Sequence, residues 1–146
     1  MIRTDRRIRI CTALLIANLC FIWGNSLLPG EISGALSDWV KSILEAILPG
    51  DGISTPGGGL LRKLAHFTEF ATLGIWLFWL FSMLGKHRSL ALLCGTLAAC
   101  MDETIQIFVP DRGPGLRDVI IDTCGVVAGM MLLQIGYSLW RRKRIT

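Results

Sequence analysis

Ten charged or amide side chains lie near the ends of long apolar runs in this sequence. They are Lys63, His66, Glu69, Asp102, Glu103, Gln106, Arg112, Arg117, Asp118 and Asp122. A charged side chain in the middle of a bilayer costs about 2.5–3.5 kcal/mol on insertion scales, so such groups usually face a cavity or a partner. These ten residues are therefore the candidate ligand-binding site.

Three kinds of chemistry are open to these residue types. His66 with Glu69 or Glu103 can form a general acid/base pair, which makes these three the candidate catalytic residues. The basic residues Lys63, Arg112 and Arg117 can hold an anionic phosphate or carboxylate. Until such a ligand arrives, Arg112 can pair with Glu103. A divalent metal is the third option, with ligands drawn from His66, Asp102, Glu103, Asp118 and Asp122. A purely structural network of ion pairs is the alternative to all three.

Four apolar runs must position these side chains. They cover residues 8–28, 64–84, 89–109 and 119–140, and each has roughly the 20 residues that a helix needs to cross a bilayer. Hydrophobic types make up 52% of the 146 residues, little more than in a soluble domain, so their clustering decides the class. A soluble bundle would show polar residues every three or four positions, and residues 73–84 and 90–101 carry almost none. The sequence predicts an all-α integral membrane bundle of four transmembrane helices, forming a single domain over residues 1–146.

Basic residues predict the orientation of these helices. If four helices cross, ten of the fifteen Lys and Arg residues fall on one side of the membrane. They lie in the N-terminal segment, the turn at residues 85–88 and the C-terminal segment. By the positive-inside rule both termini are cytoplasmic, and the candidate site lies near the outer face. The net charge of +4 then reflects membrane orientation, so we expect membrane lipids and no nucleic acid as partners.

The long loop at residues 29–63 contains a second helical pattern. Apolar residues recur there at helical spacing, at Leu36, Trp39, Val40, Ile43, Leu44, Ile47 and Leu48. The pattern predicts a short amphipathic helix in the first extracytoplasmic loop. Periodicity alone does not separate a helix that lies on the outer membrane surface from one that packs over the mouth of the bundle.

A Gly-x-x-x-Gly pair in the last apolar run bears on oligomerisation. Gly125 and Gly129 permit a close approach between two helices. The approach could be made within one chain, or between two chains in a homo-oligomer.

Two motifs of this sequence resemble the VanZ-like membrane proteins. The first is Lys63-x-x-His66-Phe67-x-Glu69-Phe70-x-x-Leu73-Gly74, and the second is Asp102-Glu103-x-x-Gln106-x-Phe108-x-Pro110-x-Arg112 followed by Asp118 and Gly125. Trp23-Gly24-Asn25-Ser26 also fits the end of the first helix of that family. Phe70 departs from the family pattern, where a Tyr is common, and Asp122 stands where an Asn is usual.

The resemblance implies a link to low-level resistance to the glycopeptide teicoplanin, and it implies no particular activity or cofactor. Our first hypothesis is a protein that binds or handles an amphiphile, such as an anionic or lipid-linked cell-envelope intermediate or a lipoglycopeptide. The alternative is an intramembrane hydrolase or transferase that acts on a lipid headgroup, either with a metal or with the acid/base pair alone. Proton-coupled lipid transport through the same His and carboxylate residues is a third option.

Overall fold

The regular structure of this chain is helical throughout its described part. The computed structural model describes residues 2–47, 59–113 and 115–143, and no strand occurs within these ranges. Its helices are α1 (Ile2–Ser26), α2 (Gly30–Ile47), α3 (Gly59–Met83), α4 (Arg88–Gln106) and α5 (Leu116–Arg142). The predicted all-α class is confirmed.

Three of the helices are long and apolar enough to cross a membrane. The segments are Asp5–Ser26, Leu61–Met83 and Leu116–Arg142. Helix α4 is not among them, since its last two turns carry the polar candidates Asp102, Glu103 and Gln106. The count of four spans therefore stays a prediction. Helix α4 also ends before residue 109, because Pro110 disfavours a helical conformation at the residue that precedes it.

Helix α3 is the centre of the bundle, and it contacts each of the other four helices. Its buried side chains Phe70, Leu73 and Leu77 form the middle of the apolar core. Ile22 from α1 and Val126 from α5 complete this core, together with small alanines from α4.

The closest helix contact joins α3 to α5 and depends on glycine. A Cβ atom at Gly125 would lie 2.5 Å from the carbonyl oxygen of Phe67, and one at Gly129 would collide with the carbonyl oxygen of Ala71. The two backbones can lie this close only because neither position carries a side chain. Within the described structure, the Gly-x-x-x-Gly pair therefore packs inside one chain, against α3.

Side-chain hydrogen bonds bring the basic ends of the helices together. The Cys11 thiol of α1 lies 3.6 Å from the Trp76 carbonyl oxygen, in the second half of α3. Arg88, at the start of α4, donates to the side-chain oxygen of Gln134 near the end of α5, at 2.9 Å. The start of α1, the end of α3, the start of α4 and the end of α5 thus share one end of the bundle. The candidate polar residues lie toward the other end.

Helix α2 is longer than its apolar pattern predicts, because its first turns carry no apolar repeat. The backbone N–H of Gly30 donates to the Pro110 carbonyl at 3.1 Å, which joins the start of α2 to the loop after α4. Trp39 and Ile43 on its predicted apolar face are 62% and 38% exposed. The other side chains of that face lie outside the described part: those of Leu36, Val40, Leu44, Ile47 and Leu48.

Candidate functional site

Buried polar side chains from four helices and one loop meet at the end of the bundle opposite to the basic termini. They are Ser26, His66, Asp102, Glu103, Gln106, Arg112 and Asp122. Helices α1 and α4 end at this level, whereas α3 and α5 begin there. The structure therefore brings together six of the ten candidates from the sequence as buried groups, and adds Ser26.

Asp102 links three helices at the centre of this cluster, and it is fully buried. Its Oδ1 atom accepts a hydrogen bond from the Ser26 hydroxyl of α1 at 2.6 Å. Its Oδ2 atom accepts one from the Gln106 amide at 2.9 Å and lies 3.8 Å from Nδ1 of His66 on α3. A carboxylate held by several donors is fixed in position, so Asp102 sets the geometry of its neighbours.

Asp122 is buried beside this network without joining it. The residue is 1% exposed, and neither of its carboxylate oxygens has a hydrogen-bond partner in the part of the chain that the structure describes. His66, Asp102 and Asp122 each offer a ligand atom, and these atoms lie within 4.8 Å of one another. One imidazole with two carboxylates is a donor set that could hold a metal.

A small cavity lies next to Asp122, between α3, α4 and α5. Its volume is about 20 Å³, which is room for about one water molecule or ion. Its lining is almost entirely polar: Arg62, Lys63, His66, Glu103, Gln106, Ile121, Asp118 and Asp122.

A much larger cleft opens between α1 and α3, on the other side of His66. Its volume is about 610 Å³. The apolar part of its wall consists of Cys20, Phe21, Gly24, Leu28, Leu61, Leu64 and Ala65. Its polar residues are Asn25, Ser33, Arg62, His66, Thr68 and Glu69.

Glu69 faces this cleft from α3. One of its oxygens, Oε1, accepts a hydrogen bond from the Asn25 side-chain amide at 3.2 Å. The other, Oε2, is buried and has no hydrogen-bond partner among the described residues. Glu69 therefore keeps one acceptor for which the described residues supply no donor.

Arg112 has partners that differ from the predicted one. Its Nε atom donates to the Leu28 carbonyl at 3.1 Å, and one Nη atom donates to the Asn25 carbonyl at 3.0 Å. These carbonyls lie at the C-terminal end of α1, where no backbone N–H of a following helical turn is present to donate to them. Burial lowers the pKa of the Arg112 guanidinium, and Arg62 lowers it further, but a guanidinium stays protonated in proteins.

Glu103 accepts a hydrogen bond from the backbone N–H of Gly115 at 2.8 Å. The expected pairing of Arg112 with Glu103 is therefore replaced by three backbone contacts, two made by Arg112 and one made by Glu103. Arg112 closes the end of α1, while Glu103 holds the start of α5.

The remaining bases lie at or beyond the rim of the cluster. Lys63 Nζ lies 4.0 Å from Oδ1 of Asp118, and their side chains are 40% and 30% exposed. Arg117 is exposed and lines neither the cleft nor the small cavity. The structure thus places Lys63 and Asp118 at the edge of the site and leaves Arg117 outside it.

Five polar residues of the site are not among the ten candidates from the sequence: Asn25, Ser26, Ser33, Arg62 and Thr68. Arg62 lines both cavities. Its position four residues before His66 puts both on one helix face, and this spacing could have identified it. Asn25 and Ser26 belong to the Trp23-Gly24-Asn25-Ser26 motif, but the bond from Ser26 to Asp102 joins residues 76 positions apart, and no local spacing predicts it.

Comparison with known proteins gives the family of the chain. The sequence profile described as VanZ/LLP1 matches residues 11–137, which includes the cluster and both cavities. No curated protein and no solved structure is significantly similar to the chain. The matched region covers well over half of the sequence, so the chain belongs to the VanZ/LLP1 family.

Proposed function

We propose that this chain is a multi-pass membrane protein that binds an anionic amphiphile in the cleft between α1 and α3. The observation that carries the proposal is the construction of the cleft, whose apolar wall leads to a few polar groups. An acyl chain would lie along the apolar wall. The headgroup would lie at Arg62, His66 and Glu69, which line the same cleft.

The size and openness of the cleft support this occupant. Ligand pockets typically have volumes of about 300–1,000 Å³ and are mostly apolar with a few polar groups, and the cleft has about 610 Å³. A Cβ atom at Gly24 would meet no other atom within 4 Å, so the space beside α1 is open. Phe21 and Leu64 on the cleft wall are 62% and 51% exposed, which allows an acyl chain to enter sideways from the bilayer.

The headgroup would be anionic because of the charge that faces it. The Arg62 guanidinium can bind a phosphate or carboxylate through two parallel hydrogen bonds. Rotation of the buried Glu69 carboxylate would turn its unpaired Oε2 toward a hydroxyl or amide of the same ligand. A phospholipid, a lipid-linked envelope intermediate and a lipoglycopeptide share this chemistry. The link to teicoplanin belongs to the proposal through the last of these classes.

An enzyme that acts on a lipid headgroup is less well supported. Among the described residues, no hydrogen bond joins His66 to Glu69 or to Glu103. The acid/base pair that such an enzyme needs is therefore not assembled in this structure.

The proposed topology has four spans with both termini in the cytoplasm. Helix α4 would be the fourth span, since Leu90, Leu93, Leu97 and Met101 form one exposed apolar face along it that lipid could cover. The exposed Trp39 and Ile43 of α2 favour a position of this helix on the outer membrane surface. Thiol labelling in a cysteine-free background tests the orientation. A cysteine at Ser42 should react in intact cells and one at Lys86 only after permeabilisation, and the reverse order would exclude this topology.

Native mass spectrometry of the protein extracted with its lipids tests the bound amphiphile. Gly24→Leu should obstruct the cleft beside α1, and the co-purified anionic amphiphile should be lost. Cys94→Leu is the matched control, since it adds a comparable side chain to an apolar groove elsewhere on the bundle. The proposal fails if wild type carries no bound amphiphile, or if Gly24→Leu retains it as well as Cys94→Leu does.

The same pair of variants tests the resistance link. Teicoplanin susceptibility is measured beside the membrane expression level of each protein. We expect Gly24→Leu to lose the resistance that wild type and Cys94→Leu confer. If cells with the wild-type protein and cells without it were equally susceptible to teicoplanin, the link to resistance would be excluded. Amphiphile binding would then be judged by native mass spectrometry alone.

A further inference from the structure

The carboxylates in and around the small cavity differ in whether a hydrogen-bond donor or a positive charge lies beside them. Asp102 accepts hydrogen bonds from Ser26 and Gln106. Glu103 accepts one from a backbone N–H, and Asp118 lies beside the ammonium group of Lys63. Each of these three carboxylates thus has a partner that offsets its burial.

Asp122 has no such partner, although it is 1% exposed. Both of its oxygens are buried without a hydrogen bond from the described residues, and it lines a cavity of about 20 Å³. A buried carboxylate without a counter-charge is strongly unfavourable. A cation bound close to its oxygens would supply the missing charge.

We propose that His66, Asp102 and Asp122 bind one divalent metal ion of the Zn²⁺ or Mn²⁺ type. The three ligand atoms lie within 4.8 Å of one another. Nδ1 of His66 has no hydrogen-bond partner among the described residues and lies 3.8 Å from Oδ2 of Asp102. An ion about 2.0–2.2 Å from each atom can bridge that separation.

The donor types select the class of metal. Imidazole suits Zn²⁺ and other transition metals, whereas Ca²⁺ and Mg²⁺ prefer oxygen ligands alone. Three protein ligands leave one coordination position of the ion open for water or another ligand. Because the ligands come from α3, α4 and α5, the ion would also hold these three helices together.

Titration of the metal-free protein tests the site. The full chain in detergent is treated with EDTA, dialysed, and titrated with Zn²⁺ or Mn²⁺ by calorimetry. Wild type should bind one ion. Loss of an outer-shell partner alone typically costs about 10–100-fold in metal affinity, so Asp122→Asn, which removes a ligand carboxylate, should cost at least about tenfold.

Asp38→Asn is the matched control, because it removes the same charge from an exposed side chain of α2 that lines neither cavity. It should keep the affinity of wild type. Absence of binding by wild type, or equal affinity of wild type and Asp122→Asn, would overturn the proposal.

A second measurement covers the case in which Asp122→Asn does not accumulate in the membrane. EDTA should lower the thermal unfolding temperature of wild type, and added Zn²⁺ or Mn²⁺ should restore it, since a ligand of the folded state stabilises it. An unfolding temperature that does not respond to either treatment would also overturn the site.

Discussion

Two depressions of similar size border α1 and α3, and they differ in their polar groups. The proposed amphiphile cleft has a volume of about 610 Å³, and a groove formed by α1, α3 and α4 has about 490 Å³. Apolar side chains alone line the groove, whereas Arg62, His66 and Glu69 help to line the cleft. Lipid tails are as apolar as leucine, so an acyl chain gains little by leaving the bilayer for either. Selective binding must therefore come from headgroup contacts, which the cleft offers and the groove does not.

Neighbouring residues of α1 also give the two depressions walls of different bulk. Trp23 lines the groove, where its indole N–H lies 3.4 Å from the Ala98 carbonyl oxygen. Gly24 lines the cleft and leaves its space open. A large side chain thus forms part of the groove wall, whereas the missing side chain at the next position of α1 widens the cleft.

The largest expected effect comes from the residue that closes the end of α1. Arg112→Ala would leave the Leu28 and Asn25 carbonyls without their donor. Each buried acceptor left unsatisfied costs about 1–3 kcal/mol, so we expect the free energy of unfolding to fall by roughly 2–5 kcal/mol. Arg112→Lys should lose less, because a lysine can still bind one carbonyl. Thermal unfolding in detergent measures the change.

Hydrogen exchange would show whether this loss is confined to the cleft. In Arg112→Ala, the amides of residues 24–28, on the cleft side of the α1 end, should exchange faster. Those of residues 11–19, which include the groove wall, should not change. Arg117→Ala is the control and should stay within about 0.5 kcal/mol of wild type, as exposed substitutions usually do. Faster exchange along all of α1 would mean that Arg112 supports the whole helix and does not distinguish the two regions.

A smaller effect is expected from the charge that faces the cleft. Arg62→Gln removes the cation proposed to bind the headgroup. A hydrogen bond to a charged group contributes about 1.5–3 kcal/mol, so affinity for short-chain phosphatidylglycerol should fall about 10–100-fold. Affinity for the phosphatidylcholine of the same chain length should change less, because its headgroup has no net charge. Titration of the protein in detergent, followed by native mass spectrometry, gives both affinities.

Arg117→Gln makes the same change of charge at an exposed residue that lines neither cavity. It should shift both affinities by no more than about twofold, the equivalent of 0.5 kcal/mol. If Arg117→Gln weakened phosphatidylglycerol binding as much as Arg62→Gln does, the loss of affinity would reflect general attraction between charges. The cleft would then not be a specific headgroup site.

The helices themselves were largely predictable from periodicity and length. The four apolar runs all fall on helices, and the pattern around Trp39 falls on α2. The ends of the helices were harder to predict. Hydrophobicity indicates burial and lipid contact, but a helix can continue through polar turns that carry no hydrophobic pattern. Helix α1 begins at Ile2 among basic residues, and α2 begins at Gly30, well before its first periodic leucine.

The predicted gathering of polar residues at one level also followed from the sequence. Helices that alternate in direction must bring the end of one next to the start of the next. His66, Asp102 and Asp122 lie near such ends, so their proximity needed only the topology. Their use by a ligand stays a prediction.

The sequence by itself determined the helical class, the membrane character of the apolar segments and the level at which the polar residues meet, because these depend on local spacing and charge. The tertiary structure decided the partners. Arg112 binds α1 instead of Glu103, Asp122 has no hydrogen-bond partner among the described residues, and Arg117 lies outside the site. Each of these outcomes depends on how the helices are rotated and where a loop turns back. Contacts between residues far apart in the chain set the rotation of the helices and the course of the loop, and no local sequence pattern predicts such contacts.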